Sequence, residues 1–196
     1  AQGLGATYHE LGLLTQSRDA YAEALVFAAR SGDRLLEAGI RGDLGFVQAW
    51  VGDRASALDQ AEEGCRKAVM TAESLGGLRE QAKGLVCLGE VAYSRGGNFE
   101  PALAIQQRAE SHWERIGDRS GVAHARLSLG YLYTEMRRFG DARAAFDGAR
   151  SVFESIGDRR GLAITLVADA RLLERRGEYQ VSLQTYERAC ESLAPI

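Results

Sequence analysis

The sequence contains little proline, cysteine or lysine, and it has no long apolar run. Two prolines in 196 residues leave few points at which helices would be interrupted. No stretch of 18 apolar residues occurs, so no membrane-spanning helix is expected. The three cysteines are odd in number and far apart in the chain. This usage predicts a reducing compartment, the cytoplasm, and no disulfide framework.

Motifs for catalysis and for metal or cofactor binding are also missing. There is no phosphate-binding loop, no H-E-x-x-H and no G-x-S-x-G, so we expect no enzyme. No two of the three histidines are four residues apart, and neither a metal site nor a cofactor is predicted. The net charge of −3 has no basic excess in either half, which excludes direct nucleic-acid binding. Only Lys67 and Lys83 among 24 basic residues are lysine, a bias typical of GC-rich bacterial genomes.

What the sequence does contain is a repeat. The tripeptides Gly117-Asp118-Arg119 and Gly157-Asp158-Arg159 are 40 residues apart, and Gly32-Asp33-Arg34 begins an earlier copy. A fixed period of this length indicates stacked structural repeats. A second marker recurs once in each of five copies, at Leu11-Gly12, Leu44-Gly45, Leu88-Gly89, Leu129-Gly130 and, in altered form, Asp169-Ala170.

Each copy is predicted to fold as two helices, A and B. Helix A carries the Leu-Gly pair, helix B carries a small residue such as Ala142, and the two small residues allow close packing of the helices. The boundary Gly is expected to end one helix and the Asp to cap the next. Only eight residues separate Ala24 from Gly32, which predicts a short helix B in the first copy. The second copy is predicted to have an extra turn after Ala57.

This pattern resembles the tetratricopeptide repeat, in the longer 40-residue Gly-Asp-Arg variety of bacterial regulators and spindle-orientation scaffolds. The match rests on Leu-Gly in helix A, a bulky Tyr133, small residues at Ala142 and Ala149, and aromatic Phe146. The resemblance implies an all-α solenoid, a right-handed superhelix of about five helix pairs. We expect one domain over 1–196, a piece of a longer chain, with repeats at about 1–31, 32–76, 77–116, 117–156 and 157–196.

In this repeat class, helix A lines the inner groove through residues near the core Leu. We call the corresponding side of these helices the groove face. An aromatic track, Phe46, Trp50, Tyr93 and Tyr131, is expected on it. Acidic residues predict a polar or basic ligand at one end, and two arginines predict an acidic ligand at the other. The candidate site residues are His9, Asp43, Phe46, Trp50, Lys83, Glu90, Tyr93, His124, Tyr131, Glu135, Arg171 and Arg175.

A solenoid presents a surface, and the function expected of it is binding. We expect a protein-interaction module that holds a peptide or helix of a protein partner in the groove. The alternative is a sensor domain of a larger bacterial regulator, with a small effector in the groove. The terminal helix is expected to pack on its own helix A through Leu183, Tyr186 and Cys190, leaving an outer side for self-association through that repeat or for a further helix.

Overall fold

The computed structural model describes residues 2–51 and 54–193. Within these ranges the chain forms ten α-helices and no strand. None of these helices is long and apolar enough to cross a membrane. In chain order they are α1 Gln2–Glu10, α2 Leu14–Ser31, α3 Arg34–Gln48, α4 Arg54–Leu75, α5 Leu78–Arg95, α6 Glu100–Ile116, α7 Arg119–Glu135, α8 Phe139–Ile156, α9 Arg159–Arg175 and α10 Tyr179–Leu193.

Odd-numbered helices are the A helices and even-numbered helices are the B helices of five pairs. The contacts divide the described residues into two compact units, one up to His112 and one from Trp113 onward. In the first unit, α3 packs on α2, α4 and α5, and α1 packs on α2. In the second unit, α9 packs on α7, α8 and α10, and α7 packs on α8. In the pairs α1–α2, α3–α4, α7–α8 and α9–α10, helix A therefore packs on its own helix B, and α3 with α5 and α7 with α9 form direct A-to-A contacts.

The Gly-Asp-Arg boundaries form as the sequence predicts. Gly32 and Gly157 end α2 and α8 in the left-handed conformation, with φ of 72° and 71°. The aspartates that follow these glycines, Asp33 and Asp158, then cap the next helices. The Asp33 carboxylate accepts a hydrogen bond from the Leu36 N–H at 2.9 Å, and Asp158 accepts one from the Gly161 N–H at 2.8 Å. Glycine is required here because only it adopts positive φ without steric cost.

The crossing of helices A and B depends on a missing side chain. In the fourth repeat, Gly130 of α7 lies against the ring of Phe146 in α8, and a Cβ at position 130 would overlap that ring. Ala142, one turn before Phe146, is completely buried in the same cluster. The prediction that Gly130 serves close packing of the two helices is confirmed.

The first repeat differs from the predicted register by seven residues. The crossing glycine is Gly5, not Gly12, because a Cβ at Gly5 would lie 2.8 Å from the Tyr21 ring. Ser17 of α2 donates a hydrogen bond to the Gly5 carbonyl oxygen at 2.8 Å, as Ser182 does to Ala170 in the fifth repeat. Leu11 and Gly12 instead form the turn between α1 and α2, where Gly12 has a φ of 73°.

This shift corrects two predictions about helix length. Helix α2 has 18 residues, the same as α8, so the first helix B is not short. In the second repeat, the buried face of α4 is Ala61, Cys65, Ala68 and Ala72, with the spacing of the buried face of α8. Ala61 therefore takes the crossing position that was assigned to Ala57. The extra turn of the 22-residue α4 precedes this position and does not follow it.

In the fifth repeat, Asp169 stands where the other repeats have a leucine, and it lies within the regular helix α9. Asp169 of α9 is buried, and its carboxylate lies 3.1 Å from Nη1 of Arg143 and 3.9 Å from Nη1 of Arg150. Burial raises the pKa of Asp169, and the attraction of Arg143 and Arg150 opposes that rise. The substitution is thus compensated by ion pairs with α8, and it does not fray the repeat.

The packed face of α10 also differs from the prediction. Its buried residues are Ser182, Thr185 and Ala189, which face α9. Leu183 is 61% exposed and Cys190 is exposed, so neither belongs to the packed face. The prediction was wrong by about one residue along the helix, which rotates the contact by roughly 100°.

Cys65 of α4 and Cys87 of α5 form a disulfide, which corrects the prediction that the chain has none. Both residues are fully buried, and Gly45 of α3 provides the space, because a Cβ there would overlap Cys65 Sγ and lie 2.8 Å from Cys87 Sγ. The bond joins the B helix of the second repeat to the A helix of the third. The prediction of a reducing compartment rested on the absence of disulfides and loses that basis.

Candidate functional site

The groove face is defined by positions counted from the core residue of each A helix. The residues at this position are Leu44, Leu88, Leu129 and Asp169, and in α1 the half-exposed Leu4. The corrected register of α1 places His9 five positions after Leu4, so His9 remains on the groove face although it was assigned from Leu11. Ser17 is buried at the crossing of α1 and α2.

In the first unit, α1 and α3 meet through an aromatic contact. The ring of His9 lies edge-on to Phe46, with centroids 5.6 Å apart. Phe46 is half-buried and packs on two core clusters, one with Tyr21 and one with Cys65. It is therefore partly a core residue. Trp50 follows the end of α3 and is 59% exposed. It is more exposed than Phe46 and Tyr93, the other predicted aromatic residues of the first unit.

Two of the predicted charged residues neutralise each other. Lys83 Nζ of α5 lies 2.8 Å from Asp43 Oδ2 of α3, and both side chains are about three-quarters buried. This ion pair joins two neighbouring A helices, so it fixes their packing. Neither charge remains available to attract a ligand by itself.

Glu90 and Tyr93 lie further along α5. Tyr93 is half-buried, and its ring lies 5.9 Å from that of Phe99 at the start of α6. Glu90 is only 8% exposed. Within the described residues its carboxyl has no hydrogen bond or ion pair, and burial alone raises its pKa to about 7. Glu90 is the least expected feature of the site, because the sequence indicated an exposed acidic residue.

The second unit carries the other predicted residues on α7 and α9. The ring of Tyr131 is half-buried and contacts Phe146 edge-on, with centroids 5.8 Å apart. His124 is exposed, but its ring lies edge-on to Phe153 of α8 at 4.9 Å, and its Nδ1 donates to the Ser120 carbonyl oxygen. His124 therefore lies beside helix B, away from the residues that follow Leu129.

The carboxylate of Glu135 and the guanidinium of Arg175 form a bidentate ion pair between α7 and α9. The two N–O distances are 2.7 and 3.2 Å. Arg171 is exposed, and its guanidinium has no ion pair within the described residues. The predicted acidic and basic ends of the groove are therefore largely neutralised within the chain. The charges that remain without a partner are Glu90 in the first unit and Arg171 in the second.

Other features give no sign of chemistry. No group of three or more His, Cys, Asp or Glu among the described residues could hold a metal ion. A shallow depression of about 400 Å³ lies between α3 and α4, away from the predicted site residues. It is lined by Arg41, Asp59, Gln60, Glu63, Gly64 and Lys67.

Comparison with known proteins agrees with this architecture. Residues 121–194 match the tetratricopeptide repeat family. No curated protein shows significant sequence similarity to the chain. A solved Rap protein complexed with Competence and Sporulation Factor superposes with a TM-score of 0.83 at 14% identity, over 96% of this chain and 51% of the Rap chain.

Two further solved structures share the fold. BtubC (BKLC) from P. vanneervenii superposes with a TM-score of 0.69 at 22% identity, over 96% of this chain and 76% of BtubC. The apo form of RapI gives 0.67 at 14% identity, over 96% of this chain and 51% of RapI. The chain thus spans about half the length of the Rap proteins. These findings show the all-α solenoid fold for the chain and a tetratricopeptide-repeat match for residues 121–194.

Proposed function

We propose that the chain is a protein-interaction module that binds an extended or helical peptide on the groove face of α1, α3 and α5. The observation that carries the proposal is Trp50, a large aromatic side chain that is 59% exposed at a groove position. Aromatic residues of this kind are enriched among the anchors of protein interfaces. Half-buried Phe46 and Tyr93 would extend the same apolar surface along neighbouring helices.

The fold supports this proposal in a general way. Stacked repeats create extended concave surfaces, and such surfaces suit segments laid along them. The Rap protein of similar fold was solved with Competence and Sporulation Factor bound. The paired charges Asp43 and Lys83 leave this face with aromatic surface as its main means of binding.

The proposal predicts that Trp50→Ala weakens peptide binding and leaves the fold intact. A displayed library of random dodecapeptides would be selected on the wild-type chain, and the best peptide titrated against both proteins. Loss of an exposed anchor is expected to raise Kd by about 30-fold, or about 2 kcal/mol. The melting temperature should stay within a degree or two, because Trp50 covers little of the core.

Phe27→Ala provides the matched control, since Phe27 is an aromatic residue of α2, a B helix of the same unit, that is 58% exposed and lies outside the groove face. Its replacement should leave Kd unchanged. Equal losses of affinity in the two variants, or none in Trp50→Ala, would show that the selected peptide binds elsewhere.

We further propose that the chain self-associates through α10. Tyr179, Leu183 and Leu193 are each more than half exposed and, with four- and ten-residue spacings, lie on one stripe of the helix. A second copy could cover this stripe. Multi-angle light scattering should give a dimer mass for the wild type and a monomer mass for Leu183→Glu. A wild type that is monomeric at millimolar concentration would contradict this proposal.

A further inference from the structure

The third repeat replaces an aromatic pair by a polar pair. In the fourth repeat, Tyr131 of helix A contacts Phe146 of helix B. Counted from Gly89 and Ala102, the same positions in the third repeat are Glu90 and Gln106. Gln106 packs against Gly89 as Phe146 packs against Gly130. A carboxyl and an amide therefore occupy the two sites that hold rings in the fourth repeat.

Neither Gln106 Oε1 nor the Glu90 carboxyl accepts a hydrogen bond from a described residue. Gln106 is 1% exposed, and its Nε2 donates to the Val86 carbonyl oxygen at 3.3 Å. Its Oε1 is buried and accepts no hydrogen bond in the described part of the chain. The Glu90 carboxyl, 8% exposed, likewise has no partner there. Buried polar atoms in native proteins are nearly always satisfied, so each exception indicates a function or a missing partner.

Glu90 occupies the groove-face position that carries Phe46 in the second repeat. Glu90 follows Leu88 by two residues, as Phe46 follows Leu44, and both lie on the groove face of the first unit. Phe46 is covered from the preceding helix by His9. The equivalent residue that precedes Glu90 is Ala49, whose methyl group is far smaller than an imidazole. The preceding A helix therefore supplies a ring at this position for Phe46 and only a methyl group for Glu90.

We propose that Glu90 determines the specificity of the peptide site by binding a cationic group of the peptide, a guanidinium or a primary ammonium. The inference rests on the function proposed above. The buried Gln106 Oε1 and the Glu90 carboxylate are both acceptors, so the complementary group brings hydrogen-bond donors. Among the acidic side chains that the structure describes on this face of the first unit, Glu90 has no counter-ion, whereas Asp43 is neutralised by Lys83. Charge-assisted hydrogen bonds to a carboxylate are the strongest such contacts.

Binding of the cation also moves a proton. The buried carboxyl is largely protonated below pH 7, as its raised pKa indicates. A peptide cation would bind the carboxylate form, and the Glu90 proton would pass to solvent. Recognition by this residue therefore releases up to one proton for each peptide bound, whereas binding to apolar surface alone releases none.

The test uses a positional hexapeptide library in which one position at a time carries arginine, lysine, citrulline or norleucine. The wild type is expected to prefer arginine or lysine over both neutral analogues by at least tenfold at one position. Glu90→Gln should abolish that preference and retain the others. Glu154→Gln, a substitution of an exposed carboxylate on α8, should behave as the wild type. Titration calorimetry of the best peptide at pH 6.5, in buffers of different ionisation enthalpy, should show proton release only where Glu90 is present.

The outcomes separate the two levels of the proposal. Peptides that bind without a cationic preference, or whose preference survives in Glu90→Gln with no change in proton release, overturn the role of Glu90 and leave the groove function intact. A chain that binds no hexapeptide and no dodecapeptide overturns the proposed function, and this inference with it. Circular dichroism of Glu90→Gln confirms that the variant is folded, so a lost preference cannot be assigned to unfolding.

Discussion

Replacing Phe146 by alanine is expected to lower the free energy of unfolding by about 3–5 kcal/mol. Phe146 is 1% exposed and fills the space over Gly130, in a cluster with Ala142, Ala149 and Phe153. The smaller side chain removes apolar contacts and leaves a cavity, because the two helix backbones are already close together. Urea unfolding followed by far-ultraviolet circular dichroism measures the change.

Two further variants test the geometry behind this expectation. Tyr186 occupies the same position in the fifth repeat but is only half-buried, so Tyr186→Ala should cost clearly less. Gly130→Leu introduces a side chain where even a Cβ would overlap the Phe146 ring, and it should cost on the order of 1–3 kcal/mol or more. A stable Gly130→Leu variant together with a stable Phe146→Ala variant would contradict the assignment of this helix crossing.

The helices and their boundaries were predictable because local chemistry determines them. A glycine at positive φ followed by a capping aspartate ends one helix and starts the next wherever it occurs, as at Gly157 and Asp158. The register of the first repeat was not determined locally. Leu4-Gly5 and Leu11-Gly12 are seven residues apart, which is two helical turns, so both pairs fit the same face of a helix. The contact of Gly5 with Tyr21 distinguishes them, and the sequence signal for it was an aromatic four residues after Ser17.

The groove positions were predictable from the repeat, but their environments were not. Exposure at these positions depends on what the neighbouring helix supplies, and such partners are far apart in the sequence. Asp43 is paired with Lys83, and Glu135 with Arg175, each across 40 residues. Cys65 and Cys87 are likewise brought together by helix packing over Gly45. An odd number of cysteines gave no indication of that pair.

Burial of Glu90 predicts a second large effect, on the pH dependence of stability. The pKa of this carboxyl rises from 4.5 to about 7 in the folded chain because burial disfavours its charged form. The folded state therefore holds the proton more tightly than the unfolded state. Stability from this group is fully present below pH 4.5 and is lost as the pH rises to about 7. The whole loss is on the order of 3 kcal/mol, from about 1.4 kcal/mol for each pKa unit.

Glu90→Gln removes the titrating group and keeps its shape. The difference in unfolding free energy, variant minus wild type, should be nearly constant below pH 4.5. It should then increase by about 3 kcal/mol between pH 4.5 and 8, so that the variant gains relative to the wild type at alkaline pH. Urea titrations at half-unit pH steps measure this difference. Because Asp169 is present in both proteins, the contribution of its raised pKa cancels in the difference.

Glu154→Gln is the matched control, since it makes the same substitution at an exposed carboxylate on α8, in the other unit. A flat curve for Glu90→Gln would mean that the carboxyl is solvated or paired in solution.

The same pH dependence of stability, measured with a bound arginine-containing peptide, tests whether Glu90 also binds the peptide. A cation that binds Glu90 stabilises its charged form, so the peptide should lower the folded-state pKa and move the loss of stability to lower pH. The stability lost between pH 4.5 and 7 should then become smaller, which an apolar peptide of the same length cannot do.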